Sequence, residues 1–287
     1  VSVLISDGAV TADGGLCAAG IGGGALCDGG IIRITGGIVT AAAGGADGSM
    51  GGAGIGGGND ASVLEITITG GEVAARASGG AAGIGGGTNT SYGFHYGDMN
   101  GSRTEGKVGS ISISGRDALV KAWGGTAQGY SGIYAGAGIG SGYPVGNNNR
   151  SVAFDISITD GAEVEAYGGE HAQAIGYGYR PEDFTGYGIR LELDDTVRLW
   201  AQNADCYQPA LVMPTPYEPN PVVYLSEDTP LIAYEHFSRE SETVDPNEAA
   251  KGYLTYGDAQ TVETFDWDYS AGRVYIDGSE FRTAENL

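Results

Sequence analysis

Along this chain, apolar and polar residues alternate over short stretches and then give way to glycine. In "ITITGGEVAA" (66–75), Ile66 and Ile68 share one side and Thr67 and Thr69 the other, and Val73 and Ala75 resume the alternation after two glycines. A period of two sends successive side chains to opposite faces of a strand, so the phrase predicts two short strands joined at a glycine corner. It recurs as "IRITGGIVTA" (32–41), "ISISGRDALVKA" (111–122), "ISITDGAEVEA" (156–166) and, weakened, "LELDDTVRLWA" (191–201), after a degenerate first copy "VLISDGAVTA". A glycine phrase follows each of the first copies: "AAGIGGG" (18–24), "GAGIGGG" (52–58), "AAGIGGG" (81–87), "GAGIGSG" (136–142) and the eroded "QAIGYG" (173–178). Its alternation, Ala53 and Ile55 with Gly54 between, predicts a third strand.

Six copies therefore share one plan, and self-similarity of this kind is the signature of a stacked repeat. The marker isoleucines Ile5, Ile34, Ile68, Ile113 and Ile158, followed by Leu193, stand 29, 34, 45, 45 and 35 residues apart, so insertions interrupt a fixed core. Three strands per copy predict an all-β fold, a right-handed parallel β-helix with three faces and about six coils; the hand follows the usual preference of parallel crossovers. Expected inward columns are Val3, Ile32, Ile66, Ile111, Ile156 and Leu191 beside the marker column. The second face contributes Val10, Val39, Val73, Val120, Val164 and Val197, and the third Ile21, Ile55, Ile84, Ile139 and Ile175. The glycines carry two readings. They are corners that need positive φ, or those at 54, 56, 83, 85, 138 and 140 face outward and leave a bare surface on which the tail could lie.

Composition adds a boundary. All but four of the 54 glycines precede residue 205, whereas seven of the nine prolines follow it, so 1–204 is read as the glycine-rich β-helix and 205–287 as an acidic, Pro-containing C-terminal segment. Within that segment "VVYLS", "LIAYEHF", "GYLTYG" and "TVETFDWDYSAGRVYIDG" predict short strands with a hairpin across "YSAGR", and "DPNEAAKG" (245–252) a helical turn. Its expected role is a cap that packs on the open end of the solenoid. The formal charge of −22 argues against nucleic acid and anionic membranes as partners. No run approaches the roughly 20 apolar residues of a membrane span. The opening residues lack a signal-peptide pattern, and the absence of an initiating Met suggests a processed or excised piece.

The paired "ITITGG" and "GAGIGGG" phrases resemble the glycine-rich repeats of large secreted and cell-surface proteins of Gram-positive, often gut-dwelling, bacteria. The resemblance covers roughly residues 1–178 and does not reach the tail. It implies an extracellular, surface-displayed β-helix of the adhesin-like, carbohydrate-binding type, and it carries over no catalytic residue.

Function is then sought where the plan is broken. Three insertions in consecutive copies adjoin the third face: 88–109, 128–154 and 177–188. Equivalent corners of stacked copies lie about 4.8 Å apart, so these loops are expected to form one patch. The patch would bring together Tyr92, Phe94, His95, Tyr96, Tyr143, Asn147, Asn148, Asn149, Tyr177, Tyr179, Arg180 and Tyr187, with Phe184 nearby. Rings stack on the C–H faces of sugars while amides and charges meet hydroxyls, so the expected partner is a glycan or a host or surface protein. The competing reading packs these tyrosines down on the glycine surface.

A scaffold or spacer without ligand is the first alternative, and a β-helix polysaccharide lyase or hydrolase the second. The outward rows are Ser and Thr rather than paired acids, and Glu163, Glu165, Asp194 and Asp195 read as solvated charge, so no catalytic residue is assigned. Leu4, Arg33 and Glu192 break the threonine lattice that an ice-binding face would need. No cofactor is expected: the acidic glycine phrases lack the order of calcium repeats, which leaves only incidental Ca²⁺, and His95, His171 and His236 lack zinc spacing. Among Cys17, Cys27 and Cys206, the first two are the candidate bridge.

Overall fold

The computed structural model describes residues 2–45, 50–88, 109–129, 132–143, 154–179, 190–193, 196–202, 204 and 211, together with six later strands between Val223 and Thr283. Among these residues every regular element is a strand, and most strands pair in parallel within a curled sheet.

Copies of the first phrase lie side by side in strict register. Ile5 pairs with Ile34, Ile34 with Ile68, Ile68 with Ile113, Ile113 with Ile158, and Ile158 with Leu193. A second ladder is built from the residues after the corner: Val10, Val39, Val73, Val120, Val164 and Leu199 stack in turn, with Ala12, Ala41, Ala75, Ala122, Ala166 and Ala201 two residues further on. The strands Ile31–Gly44 and Glu65–Arg76 run through both ladders, bending where Gly37 and Gly71 take φ of 89° and 94°. The third ladder consists of two-residue strands, Ile21–Gly22, Ile55–Gly56, Ile84–Gly85, Ile139–Gly140 and Ile175–Gly176, also parallel and in register. Ladders one and two extend beyond residue 204, because Val223–Tyr224 pairs with Arg190–Leu193 and Leu231–Tyr234 with Arg198–Gln202.

The inward columns are buried as the alternation predicts. Ile34, Ile68, Ile113 and Ile158 are each 0% exposed, as are Ile55, Ile84, Ile139 and Ile175. Burying a side chain of this size is worth about 1.5–3 kcal/mol, and since no single copy encloses its own isoleucines, that gain depends on stacking. At the first copy the columns are less covered: Val3, Val10 and Ala12 are half-buried.

The structure differs from the sequence expectations at three points, and it settles the state of the candidate bridge. The residue opposite Val164 is Leu199, not Val197, which is buried just ahead of the strand Arg198–Gln202. Thr35, in the outward Ser and Thr rows, pairs with Gly70 rather than with Thr69, its counterpart in the repeat, because the register shifts at the corner. Residues 250–252 belong to strand Ala250–Tyr256, in an antiparallel sheet with Thr261–Asp268, Arg273–Ile276 and Ser279–Thr283; the remainder of the expected helical turn lies outside the described residues. Cys17 and Cys27 are both free thiols.

The glycine phrase is settled by backbone approach. Gly56 and Gly85 adopt φ of 141° and 133°, and a Cβ at either would meet the carbonyl of the next glycine in the ladder, Gly85 or Gly140, at less than 3.0 Å. Gly54, Gly83 and Gly138 are buried against the second ladder; a Cβ at Gly83 would come within 2.7 Å of the Trp123 amide nitrogen, and one at Gly138 within 2.7 Å of that of Tyr167. These glycines are corners and contact points between ladders, not a bare outer face. Replacing Gly85 by Ala combines a left-handed φ with overpacking, each costing about 1–3 kcal/mol, so urea unfolding is expected to show a loss of at least about 2 kcal/mol. Gly24→Ala, which meets nothing within 4 Å, is expected to stay within about 0.5 kcal/mol of the parent.

Candidate functional site

Two aromatic groups emerge from this framework, and both owe their geometry to the register. The last outward position of the second ladder holds Arg76, Trp123 and Tyr167 in consecutive copies, paired Arg76 to Trp123 and Trp123 to Tyr167. Trp123 and Tyr167 stack with centroids 5.6 Å apart and planes 5° from parallel, and the Arg76 guanidinium carbon lies 3.8 Å from the Trp123 ring centroid. Both faces of the indole are thus occupied, by a cation on one side and a ring on the other. The Tyr167 hydroxyl donates to Glu165 Oε2 at 2.8 Å, and Lys121 Nζ lies 2.9 Å from Glu165 Oε1.

Charges on the outward sides of the ladders pair between copies. Arg33 donates to Glu65 at 2.7 Å, and Arg198 stands 3.7 Å from Glu163. Like charges one rung apart would repel by about 1 kcal/mol even in water, so sign changes between neighbouring copies relieve the ladder, although each exposed pair adds only about 0.2–1 kcal/mol. Glu163 and Glu165 are therefore engaged with cations rather than facing a shared cleft. Among the described residues no group of three or more His, Cys, Asp or Glu side chains could hold a metal ion.

The second group sits at the third ladder. Four residues past Ile55, Ile84, Ile139 and Ile175 come Asn59, Thr88, Tyr143 and Tyr179, whose amides donate to the carbonyls of Cys17, Gly51, Gly80 and Ala135 respectively. Successive copies thus place Tyr143 beside Tyr179, with centroids 5.9 Å apart. Tyr134 meets Tyr143 edge-on at 4.5 Å, and His171 lies 5.1 Å from Tyr179. Tyr134 is carried by Gly132–Ala135, which pairs antiparallel with Thr126–Gly129 as a hairpin inserted into one copy. Tyr143 and Tyr179 are half-buried, and Tyr134 is 6% exposed. A Cβ on Gly80 would stand 2.9 Å from Tyr143 Cβ and 3.1 Å from Tyr134 Cβ, so both tyrosines rest on a glycine.

Of the residues selected from sequence, the structure brings Tyr143 and Tyr179 together. Tyr177 is corrected: it is 3% exposed and part of the core, where its amide receives support from Gln173 Oε1 at 2.8 Å. Its position two residues after Ile175 is an inward phase, which explains the burial. Tyr92, Phe94, His95, Tyr96, Asn147, Asn148, Asn149, Arg180 and Tyr187 lie outside the described residues, as does Phe184. Sequence reasoning passed over Trp123 and Tyr167, although "KAWGG" and "EAYGG" put both rings one residue before a glycine pair. It also passed over Tyr134 and His171, although His171 stands four residues before Ile175, the position held by Cys17, Gly51, Gly80 and Ala135 in the other copies.

No protein-family model matches the chain, and comparison with curated proteins and with solved structures gives no significant match. No helix among the described residues is long and apolar enough to cross a membrane.

Two measurements test this geometry. A double-mutant cycle on Trp123→Ala and Tyr167→Ala is expected to give a coupling of about 0.5–1.5 kcal/mol in unfolding free energy. Cys17, whose thiol pKa is raised first by burial and then by the Asp60 carboxylate, holds less thiolate than an open cysteine. Iodoacetamide at pH 8 is therefore expected to label the exposed Cys27 before Cys17 in peptide mapping of the folded protein.

Proposed function

We propose that the chain is a right-handed parallel β-helix, displayed outside the cell, that acts as an adhesin-like module and binds glycans at the aromatic corner of its third ladder. Three parallel ladders built from one repeated plan support the β-helix reading, and the general preference for right-handed parallel crossovers supports the hand. The observation that carries the functional reading is the juxtaposition of Tyr134, Tyr143, Tyr179 and His171. Thr88, Tyr143 and Tyr179 occupy equivalent positions, four residues past Ile84, Ile139 and Ile175, and each belongs to one of the three departures from the repeat. Clustered rings with hydroxyl and imidazole edges offer an apolar platform and directed hydrogen bonds to the same ligand, which is what a sugar requires.

A spacer without ligand is the second reading. It is favoured by the packing of Tyr134 and Tyr143 on Gly80 and by the enclosure of Trp123 between Arg76 and Tyr167, which leave those rings with structural work. A glycan array probed with the intact chain, with Tyr143→Ala and with Tyr179→Ala separates the two. Glycan binding is expected for the parent and is expected to fall about tenfold, or 1.4 kcal/mol, in either variant whose circular dichroism and melting remain parental. Absence of binding by the parent, or variants that bind as well as the parent, would leave the spacer as the better account.

A further inference from the structure

Asp-Gly is a dipeptide at which a chain readily rearranges its own backbone, because glycine has no side chain to shield its amide nitrogen from the carboxyl before it. This chain has six such steps, beginning at Asp7, Asp13, Asp28, Asp47, Asp160 and Asp277. Asp47 and Asp277 lie outside the described residues. The other four share a dipeptide and differ in how the fold holds the two reacting groups, the side-chain carboxyl and the amide nitrogen that follows it.

At Asp28–Gly29 both groups are engaged by the next copy: Asp28 Oδ1 accepts the Ser62 amide at 3.1 Å, and the Gly29 amide donates to the Ser62 carbonyl at 2.8 Å. Asp13–Gly14 is held in the strand Ala9–Leu16, where a β-carbon on Gly14 would come within 2.6 Å of the Ala18 carbonyl oxygen. Asp160–Gly161 lies against Arg116, whose Cγ would stand 2.7 Å from a β-carbon on Gly161, and Thr159 Oγ1 donates to Asp160 Oδ2 at 3.2 Å. Asp7–Gly8 is arranged differently. It forms an exposed corner between Ser2–Ile5 and Ala9–Leu16, and the Gly8 amide donates to Oδ1 of Asp7 itself at 2.6 Å. Among the described residues nothing comes within 4 Å of where a β-carbon on Gly8 would stand. Nitrogen and carboxyl therefore already face each other, in the kind of placement that gives an intramolecular reaction its advantage.

We infer that Asp7 is a site of self-modification, converting through a succinimide to isoaspartate. The Gly8 nitrogen bonds to Cγ of the neutral carboxyl while its proton passes to Oδ1, and the resulting gem-diol expels one water to close the five-membered ring. Water then adds back at either ring carbonyl. Addition at Cγ restores aspartate, whereas addition at the former main-chain carbonyl leaves isoaspartate, with the backbone routed through Cβ and Cγ and one atom longer. The water released is regained, so no other reactant is needed. The extra atom falls at a tightly stacked corner: the Gly8 carbonyl accepts the Ile38 amide at 2.8 Å, and β-carbons on Gly36 and Gly37 would lie 2.6 Å from the Ser6 and Gly8 carbonyl oxygens.

The test ages the intact chain in mildly acidic buffer, with a parallel sample in urea, and maps its peptides by electron-transfer mass spectrometry, which separates isoaspartate from aspartate. In the folded chain, isoaspartate at Asp7 is expected to exceed that at Asp13, Asp28 and Asp160 by at least about tenfold, since misplacing reacting groups by about 1 Å can cost about 100-fold in rate. In urea the four steps are expected to draw level, because the fold and not the dipeptide selects among them. No excess at Asp7 in the folded chain, or the same excess in urea, would overturn the inference.

Discussion

One constraint governs the molecule: consecutive copies of the chain approach at the spacing of hydrogen-bonded strands, about 4.8 Å, and they do so at a corner as well as along flat strands. Along a strand that spacing is ordinary. At the third ladder it brings the carbonyl of one glycine so close to the α-carbon of its counterpart in the neighbouring copy that no β-carbon fits, at Gly56 and Gly85 alike. The same crowding recurs where the phrase meets the second ladder, at Gly54 against Arg76, Gly83 against Trp123 and Gly138 against Tyr167. Glycine is thus the condition for the third ladder to stack on itself and to pack against the second.

The interior follows from that packing. Its isoleucine columns and its narrow alanine column are single residues repeated at one phase, so each copy is buried by its neighbours and none is stable by its own contacts. Outward positions obey the opposite rule. Repeating one charge at this spacing repels, and the ladder answers with Arg33 against Glu65, Lys121 against Glu165 and Arg198 against Glu163. Repeating a flat ring attracts, and Trp123 and Tyr167 stack almost parallel with Arg76 closing the other face. Tyr134, Tyr143, Tyr179 and His171 follow neither rule and gather at one corner.

Much of this was legible in the sequence, for a physical reason. A repeat with period-two alternation assigns an inward or outward phase to each residue, so the burial of Ile32, Ile66, Ile84 and Val120 could be written down before any coordinates. Tyr177 was legible too, since it stands two residues after Ile175 in the inward phase and is buried. The stack of Trp123 on Tyr167 was likewise written in "KAWGG" and "EAYGG". The antiparallel hairpin carrying Tyr134 was not, because an insertion has no equivalent in the other copies against which to place it.

What the sequence determined by itself was the repeat: which residues share a column, where the corners fall, and that the fold is built from strands. Tertiary structure alone decided which role the glycines play, because whether a missing side chain exposes a surface or admits a neighbouring backbone depends on distances across copies that no local pattern encodes. It also decided that Cys17 and Cys27 stay apart as free thiols, and that Tyr134 and His171 join Tyr143 and Tyr179. In both cases the reason is the same. Phase along a strand is a property of the chain, but contact between insertions and corners is set by the path the chain takes between strands.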